Sequence, residues 1–305
     1  MIEAQNITKY YDTFLALDNV SFTVPKGKVV GFLGPNGAGK TTTMRILTYY
    51  LTPTKGTAKI CGFDINEQPL EARKRIGYLP EMNPIYEDMD IIEYLNFVAK
   101  IRHLEGDVDK KIKEVIRTCR LKDVLEKNIG ELSRGYRQRV GFAQAIIHNP
   151  EVLIMDEPTS GLDPNQAVEV RELIKELKKE KTVILSTHIL AEVQAVCDSV
   201  LIINKGKIIV SGTTSELQSM VQGREKATLE LKSGIDAQQA LKAIPGVENI
   251  TARRQPQGNT VYEIESQADL REKIFETAVR NNWAVLDLHR EKASLEEIFR
   301  KLTVS

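Results

Sequence analysis

Cysteine is scarce in this sequence: Cys61, Cys119 and Cys197 stand far apart in 305 residues, with no C-x-x-C spacing. That excludes a disulfide-stapled scaffold, a zinc ribbon and a thioredoxin-type redox centre. The three read as reduced, packed thiols. An excess of one charge is missing too, because Lys+Arg and Asp+Glu each number 42. No net field draws the chain to nucleic acid or to an anionic bilayer, and no nucleic-acid partner is expected. Long hydrophobic runs are absent. The most apolar stretch, Thr182–Asn204, is broken by His188, Glu192, Gln194 and Asp198, groups that are costly to bury in lipid. The N-terminal MIEAQNITKYYD is polar and lacks an apolar h-region, so no signal peptide is expected there. A cytoplasmic protein is expected, held at a membrane only through a partner.

What is present is ordinary globular material, 42% hydrophobic and 28% charged, long enough for two domains. Ile2–Tyr11 and Ala16–Val24 are rich in β-branched and aromatic residues, and Pro25-Lys26-Gly27 closes the second as a turn. Lys28–Leu33, Glu151–Met155 and Thr182–Ser186 are near-continuous apolar runs, the pattern of strands buried on both faces. A helix is expected at Thr41–Tyr50. Another, Pro164–Lys179, places Val168, Leu173, Ile174 and Leu177 on one face and is opened by Asp163-Pro164. Strand, crossover helix and strand imply a parallel sheet covered by helices. Asp90–Cys119 is helical in period and reads as part of a helical subdomain, about residues 82–150, inserted into this α/β core. Val200–Val210 forms a hairpin with Asn204-Lys205-Gly206 at its turn. After about residue 220 a new β-α-β-β-α-β order begins, suggesting a small ferredoxin-like α+β domain over 221–305, closed by a helix at Ser294–Leu302.

Chemistry concentrates in two places. Gly34-Pro35-Asn36-Gly37-Ala38-Gly39-Lys40-Thr41 fits G-x-x-x-x-G-K-[ST]. Its glycines let successive N–H groups turn toward a phosphate chain, and the following helix, entered through Thr41 and Thr42, adds its positive end. Lys40 can reach the β- and γ-phosphates of ATP, and Thr41 can offer a hydroxyl to Mg²⁺. Such a match arises by chance in about one chain in a hundred of this length. Its setting between a buried strand and a helix makes it specific. The second place is Val152–Glu157, an apolar strand ending in two carboxylates. One charge at a strand end means little. Beside a phosphate loop, Asp156 is the expected ligand of Mg²⁺ and Glu157 the expected general base for water.

With these residues the chain resembles the ATP-binding cassette (ABC) ATPases over about residues 1–220. The family signature, LSGGQ-x-R, corresponds here to Leu132–Arg139, with departures at Arg134 and Tyr136. Ser133 and Gly135 are retained, and the resemblance implies that they contact ATP held by a partner subunit. It also implies that Tyr11 stacks on adenine, that Asp163 in Ser160-Gly161-Leu162-Asp163 communicates across a dimer, and that His188 hydrogen-bonds the γ-phosphate. Glu81 stands where the family usually has Gln. It keeps an oxygen ligand for Mg²⁺ but adds charge and loses an amide donor. Tyr78–Tyr86, Ser133–Gln166 and Ala293–Thr303 are most similar to the gliding-motility-associated (GldA-type) exporter ATPases. The resemblance therefore implies an ATP-hydrolysing subunit that drives a separate multi-span membrane permease, forms a self-dimer on binding ATP, and lies peripheral to the inner face of the cell membrane. Two other readings stay open here. A soluble ATPase acting on ribosomes or nucleic acid usually has two cassettes or a long coiled coil, whereas this chain has one phosphate loop and no sustained heptads. An ATP-binding scaffold without turnover is opposed by intact Glu157 and His188 but not by Glu81.

Overall fold

The computed structural model describes residues 1–221, 225–256, 258–291 and 299. Two long strands, β1 (Ile2–Tyr11) and β2 (Phe14–Val24), pair antiparallel from Ile2↔Val24 to Tyr11↔Phe14. Along β2, buried Val20, Phe22 and Val24 alternate with exposed Ser21 and Thr23, since one face meets the core and the other meets water. The alternation vanishes in β3 (Val29–Leu33), which is buried throughout. Helix α1 (Lys40–Leu47) follows the glycine loop. It ends earlier than the expected Tyr50. Tyr49 takes a left-handed φ of 53°, and the Tyr50 and Leu51 N–H groups turn back to the Arg45 carbonyl at 2.9 and 3.1 Å. Strands β4 (Lys55–Ile60) and β5 (Phe63–Asp64), absent from the sequence reading, complete an antiparallel sheet of order β2-β1-β4-β5.

Helix α2 (Pro69–Lys74) and strand β6 (Ile76–Leu79) lead into three helices: α3 (Ile91–Ile101), α4 (Val108–Thr118) and α5 (Arg134–Ile146). Each starts at a side-chain cap: Asp90 accepts from Glu93 N–H, Asp107 from Lys110 and Ser133 from Tyr136. The chain then returns through β7 (Val152–Asp156), α6 (Pro164–Leu177), β8 (Thr182–Thr187), α7 (Leu190–Val196), β9 (Ser199–Asn204), β10 (Lys207–Gly212) and α8 (Thr214–Val221). The buried face of α6 differs from expectation. Val170, Leu173, Ile174 and Leu177 are buried, while Val168 is exposed. Residues 170, 173, 174 and 177 follow the i, i+3, i+4, i+7 rule; 168 lies 200° around the helix from 170.

The central sheet has the order β10-β9-β3-β8-β7-β6, with β9, β3, β8, β7 and β6 mutually parallel and β10 antiparallel. Its two faces feed two cores. Leu153, Met155 and Leu185 pack with the helical layer around Leu95, Val98 and Phe142. Val152, Ile154 and Ile184 pack with the antiparallel sheet and α1 through Ile7, Val20, Phe32 and Met44. Among the described residues no helix is long and apolar enough to cross a membrane.

The chain divides into two compact units, Met1–Thr214 and Ser215–Ser305. The second contains β11 (Glu225–Leu231), α9 (Gln238–Lys242), β12 (Val247–Arg254), β13 (Thr260–Ser266), α10 (Arg271–Arg280) and β14 (Val285–Glu291). Its sheet is antiparallel with the order β12-β13-β11-β14. That is a ferredoxin-like arrangement, with its own core of Leu229, Leu241, Ile264 and Ile274. The terminal helix expected at Ser294–Leu302 and the tail Ala293–Thr303 fall, Phe299 aside, outside the described residues.

One partly buried histidine gives the first unit a predictable acid sensitivity. His148 Nε2 sits 2.9 Å from the Ile76 carbonyl, to which it donates as a neutral ring, and Nδ1 has no partner. Burial, reinforced by nearby Arg102, pushes its pKa down to about 4. The folded pKa lies below the unfolded value of about 6.5. This contribution to stability is therefore complete above pH 6.5 and is lost as pH falls toward 4, to a limit of about 3 kcal/mol. Melting temperatures measured from pH 8 to 4.5 should fall less steeply for His148→Gln than for the parent. Parallel curves would remove His148 from this role.

Candidate functional site

Glycine is required at both ends of the loop between β3 and α1. A Cβ on Gly34 would lie 2.5 Å from the Ile203 carbonyl oxygen, and Gly39, at φ 106°, would press against Leu17 and the Ala16 carbonyl. Lys40 folds back into the loop it follows. Its buried Nζ donates to the carbonyls of Gly34 at 2.8 Å and Pro35 at 3.2 Å, and pairs with Glu157 Oε1 at 3.2 Å. Gly34, Pro35 and Ala38 thus shape the loop from behind, and Ala38 is buried.

Parallel pairing of β7 with β8 sets Asp156 opposite Ser186, whose hydroxyl donates to Asp156 Oδ1 at 2.5 Å. Thr41 Oγ1 donates to the same oxygen at 3.2 Å. Burial raises the Asp156 pKa, and these two hydroxyls act against the rise. At Glu157 the chain leaves the strand with a left-handed φ of 48°, and its N–H donates to Ser186 Oγ at 3.0 Å. The Glu157 carboxylate then lies between Lys40 and His188, whose Nδ1 is 2.9 Å from Oε2.

These groups open onto a cavity of about 490 Å³ that gathers most of the predicted residues: Tyr11, Asn36, Gly37, Gly39, Lys40, Thr41, Thr42, Glu81, Glu157 and His188. Tyr11 stands at its mouth, 41% exposed, with Lys9 Nζ 5.5 Å from its ring centre. Phe14, Ala16 and Ser160 also line the cavity, and Ser186 supports it; sequence reasoning assigned none of them to the nucleotide site, placing Ser160 only in the motif that ends at Asp163. Phe14 was detectable as the cross-strand partner of Tyr11. Ser186 carried a weaker signal, a hydroxyl ending an apolar strand. A larger cleft, about 760 Å³, lies between α3 and α4 and offers no phosphate loop or hydroxyl–carboxylate pair, so its size does not make it the nucleotide site.

Ser133, Gly135 and Asp163 do not join the cavity. Ser133 caps α5, and with Gly135 and Gln166 it borders a separate hollow of about 390 Å³. Asp163 caps α6 by accepting from Gln166 N–H at 2.9 Å. Both signature departures have structural partners. The Arg134 guanidinium lies over Gly161, where a Cβ would come within 2.3 Å of it, and Tyr136 lies under the Arg139 guanidinium, 5.0 Å from the ring centre.

Among the described residues, no group of three or more His, Cys, Asp or Glu side chains is placed to hold a metal by itself. Thr41 and Asp156 supply a few hard oxygens beside the phosphate loop. That donor set fits Mg²⁺, which takes its remaining ligands from nucleotide phosphates and water.

Comparison with known proteins agrees with this geometry. The ABC transporter family pattern matches residues 17–160. An uncharacterized ABC transporter ATP-binding protein, YxlF of Bacillus subtilis, is 35% identical over 303 residues, covering 99% of both chains. The Nod factor export ATP-binding protein I of Cupriavidus metallidurans is 31% identical over 315 residues, covering 99% of this chain and 97% of its own. A solved structure of the ATP-binding subunit of an ABC transporter superposes with a TM-score of 0.66 at 30% identity, over 73% of this chain and 93% of that one. These relatives do not favour the soluble, ribosome-directed alternative. The chain belongs to the ABC transporter ATP-binding proteins and is an ATPase subunit of that family.

Proposed function

We propose that this ATPase powers export through a separate multi-span permease, working as a head-to-tail dimer at the inner face of the membrane. The observation that carries the exporter reading is the alignment with the Nod factor export relative over 99% of the chain, which includes the ferredoxin-like unit as well as the cassette. Dimerisation is supported by the position of Ser133 and Gly135. They border a hollow outside the nucleotide cavity, so the phosphate loop forms only one wall around ATP. The finer, gliding-motility-associated reading rests on the sequence stretches Tyr78–Tyr86, Ser133–Gln166 and Ala293–Thr303 alone.

In this reading Tyr11 stacks on adenine and the N–H groups of the loop receive the phosphates. Mg²⁺, held by Thr41, Asp156 and Glu81 together with the phosphates, would offset their negative charge. Lys40 turns from Glu157 toward the β- and γ-phosphates. That exchange frees Glu157 to take a proton from the attacking water, and His188, held through Nδ1, presents Nε2 to the γ-phosphate. Among its described residues the C-terminal unit holds no phosphate loop or metal cluster, which supports a regulatory or dimer-stabilising role.

The test is co-expression with the permease encoded by a neighbouring reading frame, followed by purification from detergent-solubilised membranes. The ATPase should copurify with the permease, and ATP should drive it to a dimer. Sedimentation with ribosomes and absence from the membrane fraction would overturn the proposal.

A further inference from the structure

A buried carboxylate left unused by the chemistry above ties the two loops of the site together. Glu192, on α7, is 4% exposed. Its Oε1 accepts from the Thr159 hydroxyl, and its Oε2 accepts from the Thr187 hydroxyl at 2.6 Å. Thr159 lies two residues beyond Glu157, and Thr187 immediately precedes His188. Thr187 Oγ1 also accepts from the Ile189 N–H at 3.0 Å, which directs its own hydrogen toward Glu192. The two loops are therefore joined twice. At the cavity Glu157 meets His188, and beneath them Thr159 and Thr187 meet on one side chain.

Packing alone does not call for a carboxylate here. The rest of the buried face of α7 is Leu190, Val193 and Val196, and an aliphatic residue at 192 would avoid the cost of burying a charge. A carboxylate is the short side chain that accepts two hydroxyl donors at once. We propose that Glu192 is a positioning residue for ATP hydrolysis, holding the Glu157 and His188 loops at a fixed separation. It acts on turnover through that pair and leaves nucleotide affinity alone. The proposal rests on the roles given above to Glu157 and His188.

The experiment compares kcat, ATP affinity and melting temperature of the full chain with its permease for Glu192→Ala, Thr159→Val and Glu157→Gln. Misplacing a reacting group by about 1 Å costs up to about 10²-fold. Glu192→Ala should therefore lower kcat by about 10–100-fold with ATP affinity within about threefold of the parent. Thr159→Val keeps the side-chain shape and removes one hydroxyl, so it should lower kcat by at least about threefold, with a melting temperature lower by a few degrees because Glu192 Oε1 loses its donor. It keeps the proposal testable if Glu192→Ala fails to fold. Unchanged kcat in either folded variant, or affinity falling in step with kcat, would overturn the proposal. Unchanged turnover in Glu157→Gln would overturn the base reading and this proposal with it. Lost turnover there beside normal turnover in Glu192→Ala would overturn this proposal alone.

Discussion

Replacing Glu157 with Gln should leave ATP binding intact and cut turnover by about 10²–10⁴-fold, the range set by loss of a positioned base. The side chain is buried, and both oxygens are engaged, Oε1 by Lys40 at 3.2 Å and Oε2 by His188 at 2.9 Å. Gln has the same length, and its amide oxygen still accepts from Lys40. Shape, loop path and phosphate contacts therefore survive. What disappears is the ability to accept a proton from water. Because ATP still enters and is not consumed, the ATP-bound dimer should accumulate in this variant. Single-turnover phosphate release measures the chemical step, binding of a fluorescent ATP analogue measures affinity, and sedimentation with ATP measures the dimer. Phosphate release at the parental rate would take Glu157 out of the mechanism. A monomer in the presence of ATP and permease would defeat the shared-site reading instead.

The phosphate loop was legible in the sequence because its function dictates glycines and a lysine at set intervals, and no other residues give that backbone path. Strands β3, β7 and β8 were legible because both faces are covered, so their apolar runs are unbroken. Strand β4 was hidden for the opposite reason. KGTAKI places only Ala58 and Ile60 in the core and leaves its lysines outside, so it reads as loop. Long-range pairing hid the rest of the site. Ser186 reaches Asp156 only because β7 and β8 run side by side. Arg134 finds Gly161, and Glu192 finds Thr159, across 27 and 33 residues of chain respectively, counted from the residue numbers. Composition and spacing name such residues but cannot pair them. Phe14 is an intermediate case, since its pairing with Tyr11 follows from the hairpin once the turn is placed.

Lys40→Ala should produce two separable losses. Among the described residues, the polar partners of Lys40 Nζ are oxygens: two loop carbonyls and Glu157 Oε1. Toward ATP, it would exchange the Glu157 carboxylate for phosphate oxygens, and a charge-assisted hydrogen bond contributes about 1.5–3 kcal/mol. Two such bonds amount to about 3–6 kcal/mol, so ATP affinity should weaken by roughly 10²–10⁴-fold. Without nucleotide the same change strips a buried carboxylate of its cation. Breaking a buried pair by removing one partner costs about 3–5 kcal/mol, and less here because Glu157 faces a cavity that water can enter. The melting temperature of the nucleotide-free variant should fall. The two effects separate in the double variant Lys40→Ala/Glu157→Gln. With no charge left to strand, most of the lost stability should return, while ATP binding should stay as weak as in Lys40→Ala alone. Thermal unfolding of the four proteins in the cycle, with and without ATP, reads both quantities together. A double variant no more stable than Lys40→Ala would mean that the lost loop carbonyl contacts, and not the stranded Glu157, set the cost. Parental affinity in Lys40→Ala would sink the phosphate-binding role of Lys40.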